Sequence, residues 1–212
     1  MATLAAIRAN LNSELAVASD AETAPWSVAV RNAAISAGYA ALWSARAWKP
    51  VVVDLATVEG QNIYSGLTGI RRLGYAEVLD TTGAIVGHPA ARLEADGTGG
   101  YRLTVPALAA GLTLRLHGWT AYKSTFTGDT DTDDIEPEFA RVPLLKAKAV
   151  LFRQQLATFA RFGQRQAVRP DMGVSVEQLV GLVTTCEQEW NQAVREMAAQ
   201  RPRIGHALAQ VV

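Results

Sequence analysis

The segment from Gly128 to Phe139, GDTDTDDIEPEF, is where residue types and spacing come closest to a known chemistry. Asp129, Asp131 and Asp133 alternate as the first ligands of a calcium loop do. An EF-hand loop also needs glycine at its sixth place, where it bends, and a bidentate glutamate at its twelfth. Counted from Asp129, those places hold Asp134 and Ala140. Three readings remain: an adventitious divalent ion, a plain solvated loop, or a loop that pairs with basic residues of a neighbouring copy. The distribution of charge along the chain favours the third. The loop holds Asp129, Asp131, Asp133, Asp134, Glu136 and Glu138 and no base, whereas the stretch from Phe139 to Pro170 holds Arg141, Lys146, Lys148, Arg153, Arg161, Arg165 and Arg169 and no acid. A formal net charge of zero thus conceals two opposed patches. Such a pattern suits a subunit that meets copies of itself and passes close to a polyanion.

Other chemistry is sparse. The chain has no G-x-S-x-G, H-E-x-x-H, P-loop or G-x-G-x-x-G motif. His88, His117 and His206 fall in a loop, a strand and the tail, and nothing places a nucleophile beside any of them. Gly97, Gly99 and Gly100 precede a strand rather than a helix, so they read as a hairpin turn. Cys186, the single cysteine, permits no internal disulfide and no cysteine-based zinc cluster; it falls in an apolar helical stripe and reads as a small buried hydrophobe. Catalytic, cofactor and metal sites are therefore not expected. The N-terminal stretch carries Arg8 and Glu14 inside its apolar pattern, unlike a signal peptide, and no window is long and apolar enough to span a bilayer. A soluble protein made inside the cell is expected.

The elements that would position these charges emerge from periodicity. Leu4, Ile7, Leu11 and Leu15 predict helix 1 over about residues 3–18, capped by Thr3. Helix 2 is expected over about 25–47, capped by Thr23 or Glu22. Trp26, Val30, Ala33, Ala37 and Ala41 mark one apolar face, and Val28, Ile35, Tyr39 and Leu42 another. A helix apolar on two faces is sandwiched, inside the fold or between subunits. From Val51 the signal turns to β: VVVDLATV, then alternating runs up to Leu112, Leu114 and Leu116, predict a half-buried antiparallel sheet of four to six strands. Leu145, Ala149, Phe152, Leu156 and Phe159 then give a heptad-like seam for helix 3, with Pro143 either starting it or following a short turn from Pro137. Ser175 and Gln178 form a capping-box candidate for helix 4, whose stripe runs Val176, Leu179, Val183, Cys186, Trp190, Val194, Met197. The fold class is α+β: a bundle of about four helices (1–48 with 137–200), an antiparallel β subdomain (49–128) inserted between helices 2 and 3, an acidic loop (129–136) and a tail (201–212).

With these parts in place, the chain resembles the phage head-to-tail connector adaptor family, including the tail tubular protein A type of short-tailed phages. The resemblance runs over about residues 3–165. It rests on the helical pair with its Trp-containing second helix (Trp26 to Trp48), a β insertion ending in LTLRLHGW (Leu112 to Trp119), and the Asp-rich loop leading into PEFARVPLLKAKAVLFRQQL (Asp129 to Leu156). Pro143 inside the third helix departs from the pattern. The resemblance implies a structural virion protein: a ring subunit, typically dodecameric, bound beneath the portal, extending the DNA channel and offering a platform for the next tail or stopper protein. Its location would be the virion, and the host cytoplasm during assembly.

On that view Asp129, Asp131, Asp133, Asp134 and Glu136 form an inter-subunit loop. Arg141, Lys146, Lys148, Arg153 and Arg161 face either that loop on a neighbour or, without sequence preference, the packaged DNA. Arg201, Arg203, Ile204, Leu208 and Val211 supply a portal-docking tail. The expected partners are further copies of the chain, the portal, the next tail component and DNA; no membrane is involved. The alternatives are a stopper or tail-completion protein, and a non-viral small-ligand-binding module using Trp119, Tyr101 and His117.

Overall fold

A computed structural model describes residues 1–17, 26–162 and 175–200. The fold is α+β, with four helices and two antiparallel sheets whose strands all lie between the second and third helices. The chain divides into two compact units: residues 1–47 with 122–200 form a helical unit, and residues 48–121 a β unit. The acidic loop belongs to the first of these.

In the helical unit, α1 spans Leu4–Glu14, α2 Val28–Ser44, α3 Arg141–Phe162 and α4 Val176–Ala199. Thr3 caps α1 as its type predicts, its side chain accepting from Ala6 N–H. The start of α2 differs from expectation. Ser27 is the cap, accepting from Val30 N–H, because its hydroxyl stands directly before the first helical residue and so reaches the orphan donors; Thr23 and Glu22 lie outside the described residues. At its other end, Arg46 takes a positive φ of 63°. Arg46 N–H donates to Trp43 O and Ala47 N–H to Leu42 O, which closes a Schellman turn and buries Ala47. Pro143 is accommodated by a 3-10 turn over Pro137–Phe139, after which α3 begins at Arg141. Proline then falls in the first helical turn, where its missing N–H breaks no ladder.

The core of this unit joins Leu4, Ile7 and Leu11 of α1 with Ile35, Tyr39 and Leu42 of α2. It continues through Leu144, Leu145, Ala149, Leu151 and Phe152 of α3 to Leu179, Cys186, Trp190, Val194 and Met197 of α4. Leu145, Ala149 and Phe152 of the α3 seam and most of the α4 stripe are thus buried as their spacing predicts, whereas Leu156 and Phe159 are half-buried and Val176 is exposed. Only one face of α2 is buried. On the face predicted from Trp26, Val30, Ala33, Ala37 and Ala41, Trp26 is buried and Val30 and Ala41 are half-buried, but Ala33 and Ala37 stand in solvent, so within the chain α2 is not sandwiched. Gly38 lets α2 approach α3 closely, since a Cβ there would overlap Pro143 O.

In the β unit the strands are β1 (Lys49–Ala56), β2 (Ile63–Leu67), β3 (Arg72–Leu79), β4 (Ile85–Gly87), β5 (Arg92–Ala95), β6 (Tyr101–Thr104) and β7 (Thr113–Thr120). They make two sheets, ordered β1-β7-β3-β4 and β2-β6-β5, rather than the single sheet of four to six strands expected. Alternation along a strand reveals that one face is buried but does not name the partner strand. Ala76, Val78, Leu114 and Leu116 from the larger sheet share a core with Tyr64 and Leu103 from the smaller, joined by Ile70 ahead of β3 and Val105 just after β6. On β7, Leu114 and Leu116 point to this core while Arg115, His117 and Trp119 take the opposite face.

Candidate functional site: the acidic loop and the basic helix

The acidic loop wraps the N-terminus of α1. Asp131 O accepts from Leu4 N–H at 2.8 Å and Asp129 O from Ala5 N–H at 3.2 Å, so the loop satisfies two of the helix's orphan donors. Thr3 and Thr132 form a β-bridge beside them. Acidic side chains gathered at this end also complement the positive pole of the helix.

Each acid of the predicted set has a donor within its own chain. Asp129 receives the Arg8 guanidinium through both oxygens, at 2.7 and 3.1 Å, and this partner holds its carboxyl below the usual carboxylate range. Asp131 Oδ2 accepts from Thr127 N–H (2.6 Å), the Thr127 hydroxyl (2.9 Å) and Gly128 N–H (3.2 Å), with Lys123 Nζ 3.3 Å from its other oxygen. These hydrogen bonds, led by that from Thr127 N–H, push its carboxyl far down. Asp133 is 2% exposed and accepts from Ala2 N–H at 2.6 Å and from the Tyr39 hydroxyl at 2.8 Å. Burial first, then the bond to Asp133, pushes the Tyr39 phenol far up. Asp134 Oδ1 accepts from Lys123 N–H, and Glu136 Oε2 from the Tyr122 hydroxyl, both at 2.8 Å. The loop is a structured hub rather than a solvated ribbon.

The basic residues of α3 are engaged in a similar way. Lys146 Nζ lies 3.0 Å from both Glu187 oxygens and 4.5 Å from the Trp190 ring, joining α3 to α4. Arg153 meets the same carboxylate at 3.1 Å. Lys148 Nζ donates to Glu14 at 3.0 Å, and Arg141 Nε to Glu14 at 3.3 Å, joining α3 to α1. The two lysines are part-buried, whereas the side chains of Arg141 and Arg153 are 67% and 57% exposed. Sequence blocks of one sign concealed these partners because Glu14 and Glu187 lie in other blocks. Arg161 belongs to α3, but its side chain is outside the described residues, as is the tail with Arg201, Arg203, Ile204, Leu208 and Val211.

The residues named for a ligand cup are not brought together. Trp119 and His117 occupy the outer face of β7, while Tyr101 lies on β6, where its partner in parity, Leu103, faces the core. His117 instead stacks on Tyr75 at 4.4 Å, and its Nε2 lies 2.7 Å from Glu77. Cys186 is buried against the α4 core, and burial pushes its thiol up. Among the described residues, no cluster of three or more metal-ligating side chains occurs, and no helix is long and apolar enough to cross a membrane.

No protein-family model matches the chain, and no curated protein matches it. Among solved structures, a chain of "Neck of empty GTA particle computed with C6 symmetry" matches at 13% identity and a TM-score of 0.30, covering 84% of this chain and 87% of that chain. A likeness at that TM-score carries no structural or functional argument.

Proposed function

We propose that the chain is a structural subunit of a phage head-to-tail connector, an adaptor that forms a ring below the portal, extends the DNA channel and seats the next tail component. The reading assigns the protein no reaction. The observation that carries it is the order of parts over the segment of sequence resemblance. A helical pair is followed by an antiparallel β insertion ending in β7, an Asp-rich loop, a 3-10 turn at Pro-Glu-Phe and the long α3.

Two surface features support association between copies. Ala29, Ala33, Ala37 and Ala40 of α2 stand exposed on a helix otherwise rich in apolar residues, and such small side chains let another backbone approach. Arg141 and Arg153 keep exposed guanidinium groups on α3, while Glu138 and the Asp129 side chain are exposed near the loop. In a head-to-tail ring each subunit contributes two different patches, so opposed charges on separate parts of one chain alternate around the closure. Asp131, Asp133, Lys146 and Lys148, which are held in intrachain contacts, build the surfaces rather than forming their outer layer.

The test is negative-stain imaging of the protein alone and mixed with the portal ring of the same phage. A second ring stacked on the portal is the expected result, and it should weaken when residues 201–212 are removed. A protein that stays monomeric and does not co-sediment with portal would overturn the reading.

A further inference from the structure

The sheet edges of the β unit are not alike. Proteins blunt an edge strand by keeping it short, bulging it or charging it. β4 has three residues and a register shift against β3. β2 is broken by a register shift between Tyr64 and Leu67. β5 has four residues, among them the ion-paired Arg92 and Glu94. β1, the remaining edge, runs for eight residues in unbroken register with β7. Its lysine and its proline stand at the first two positions, and Asp54 is tied to Arg115 of β7 at 2.8 and 2.9 Å.

The register fixes what this edge presents. Thr57 N–H donates to Leu112 O at 3.0 Å, so by antiparallel alternation Val51, Val53 and Leu55 turn their backbone groups to β7. Val52, Asp54 and Ala56 turn theirs outward, as Pro50 does with its carbonyl alone. Among the described residues, nothing pairs with these outward groups, and Val52, Asp54 and Ala56 are all exposed. The apolar side chains alongside are incompletely covered. Val52 is 54% exposed, and Val51, Val53 and Leu55, which pack on the β-unit core, are only half-buried.

We propose that this edge pairs with β1 of a second copy, antiparallel about a two-fold axis at Val53. In that register Val52 exchanges hydrogen bonds with Asp54 of the second copy, and Ala56 N–H donates to Pro50 O. Every outward donor of both strands then has an acceptor, and the missing proline N–H costs nothing. Val53 meets its own counterpart and Val51 meets Leu55, so the half-buried row of one core continues into the other. Charge permits the pairing, because Asp54 falls opposite Val52 rather than opposite itself and is matched within its own copy by Arg115. The joined sheet reads β4-β3-β7-β1-β1-β7-β3-β4, with every neighbour antiparallel. A contact one strand wide is small against the roughly 1,000 Å² of a stable complex, so the dimer is a reversible one. It stands apart from the ring reading: a two-fold contact closes on itself, whereas ring contacts run head to tail, so this experiment and the portal experiment succeed or fail separately.

The test is sedimentation equilibrium of the full chain between about 1 μM and 1 mM, where a monomer–dimer equilibrium is expected. Val52→Pro removes a donor that faces away from β7, so the subunit keeps its own ladder while dimerisation weakens by about tenfold or more. Ala56→Pro, at the end of the strand, should act in the same direction and serves if Val52→Pro does not fold. Ile85→Lys on the β4 edge should leave the dimer unchanged. Val53→Cys, oxidised with diamide, should give a covalent dimer and nothing larger; the wild-type chain, whose single Cys186 is buried, should give none. The proposal would be overturned by a wild-type monomer at the highest concentration, by undiminished dimerisation in the folded proline variants, or by no disulfide in Val53→Cys. Association lost in Ile85→Lys would also overturn it, since β1 would then be meeting β4 of the next copy.

Discussion

Replacing Asp133 by alanine removes the acceptor that joins the chain's first residues, α2 and the acidic loop. The side chain is 2% exposed and takes two hydrogen bonds, from Ala2 N–H at 2.6 Å and from the Tyr39 hydroxyl at 2.8 Å. Hydrogen bonds to a charged group contribute about 1.5–3 kcal/mol each, and a buried donor left unmatched costs about 1–3 kcal/mol. Tyr39 is itself 1% exposed, so its hydroxyl has little access to replacement water. Asp133→Ala should therefore cost about 3–5 kcal/mol, a large share of the roughly 5–15 kcal/mol that holds a typical domain folded. Asp133→Asn keeps one acceptor and turns a donor toward the other partner, which places it between wild type and alanine. Tyr39→Phe removes one bond and should cost about 1–2 kcal/mol, and the double variant should show coupling between the two residues. The assay is urea unfolding followed by circular dichroism, with the m-value checked for constancy. Exposed Glu138→Ala is the control, expected within about 0.5 kcal/mol of wild type. If Asp133→Ala shifts stability by less than about 1 kcal/mol, the loop is not the hub inferred from its contacts.

Gly38→Ala should destabilise the helical unit by about 1–3 kcal/mol, because the new methyl meets Pro143 O and α2 must move off α3; thermal melting indistinguishable from wild type would contradict that packing. The Tyr39 phenol is raised far above the ordinary tyrosine value, so the stability it contributes is complete below about pH 10 and is lost as pH rises beyond it. Absorbance near 295 nm at about pH 11 should accordingly fall short of the full complement of five tyrosines until the circular dichroism signal collapses; a complete tyrosinate signal from a folded protein would refute the burial.

The helices were readable in the sequence because their information is local. Thr3, Ser175 and Gln178 announce caps by residue type and spacing, and Leu145, Ala149 and Phe152 announce a buried seam. Leu114 and Leu116 likewise revealed one buried face of β7. What local patterns lack is the identity of the partner across space. Nothing near Lys146 points to Glu187, and nothing near Asp133 points to Tyr39. The division of seven strands into two sheets and the meeting of Arg72 with Trp48 and Trp119 arise only when β7 inserts between β1 and β3. The same limit bears on assembly experiments. Charge reversal at Asp133 would strike the folded unit itself, whereas reversal at exposed Arg141, Arg153 or Glu138 perturbs the surface and leaves the Asp133 hub intact.

The clasp between Ala2 and Asp133 spans 131 positions of chain, which sets a timetable for biosynthesis. A ribosome adding about 5–20 residues per second needs roughly 7–26 s to travel from one partner to the other. Throughout that interval the apolar sides of α1 and α2 wait for α3, which has yet to be made, while every strand of the β unit is translated before the interval ends. The β unit can therefore mature first and the helical bundle close last, which makes the nascent helical pair the part of the chain most in need of a chaperone's shelter.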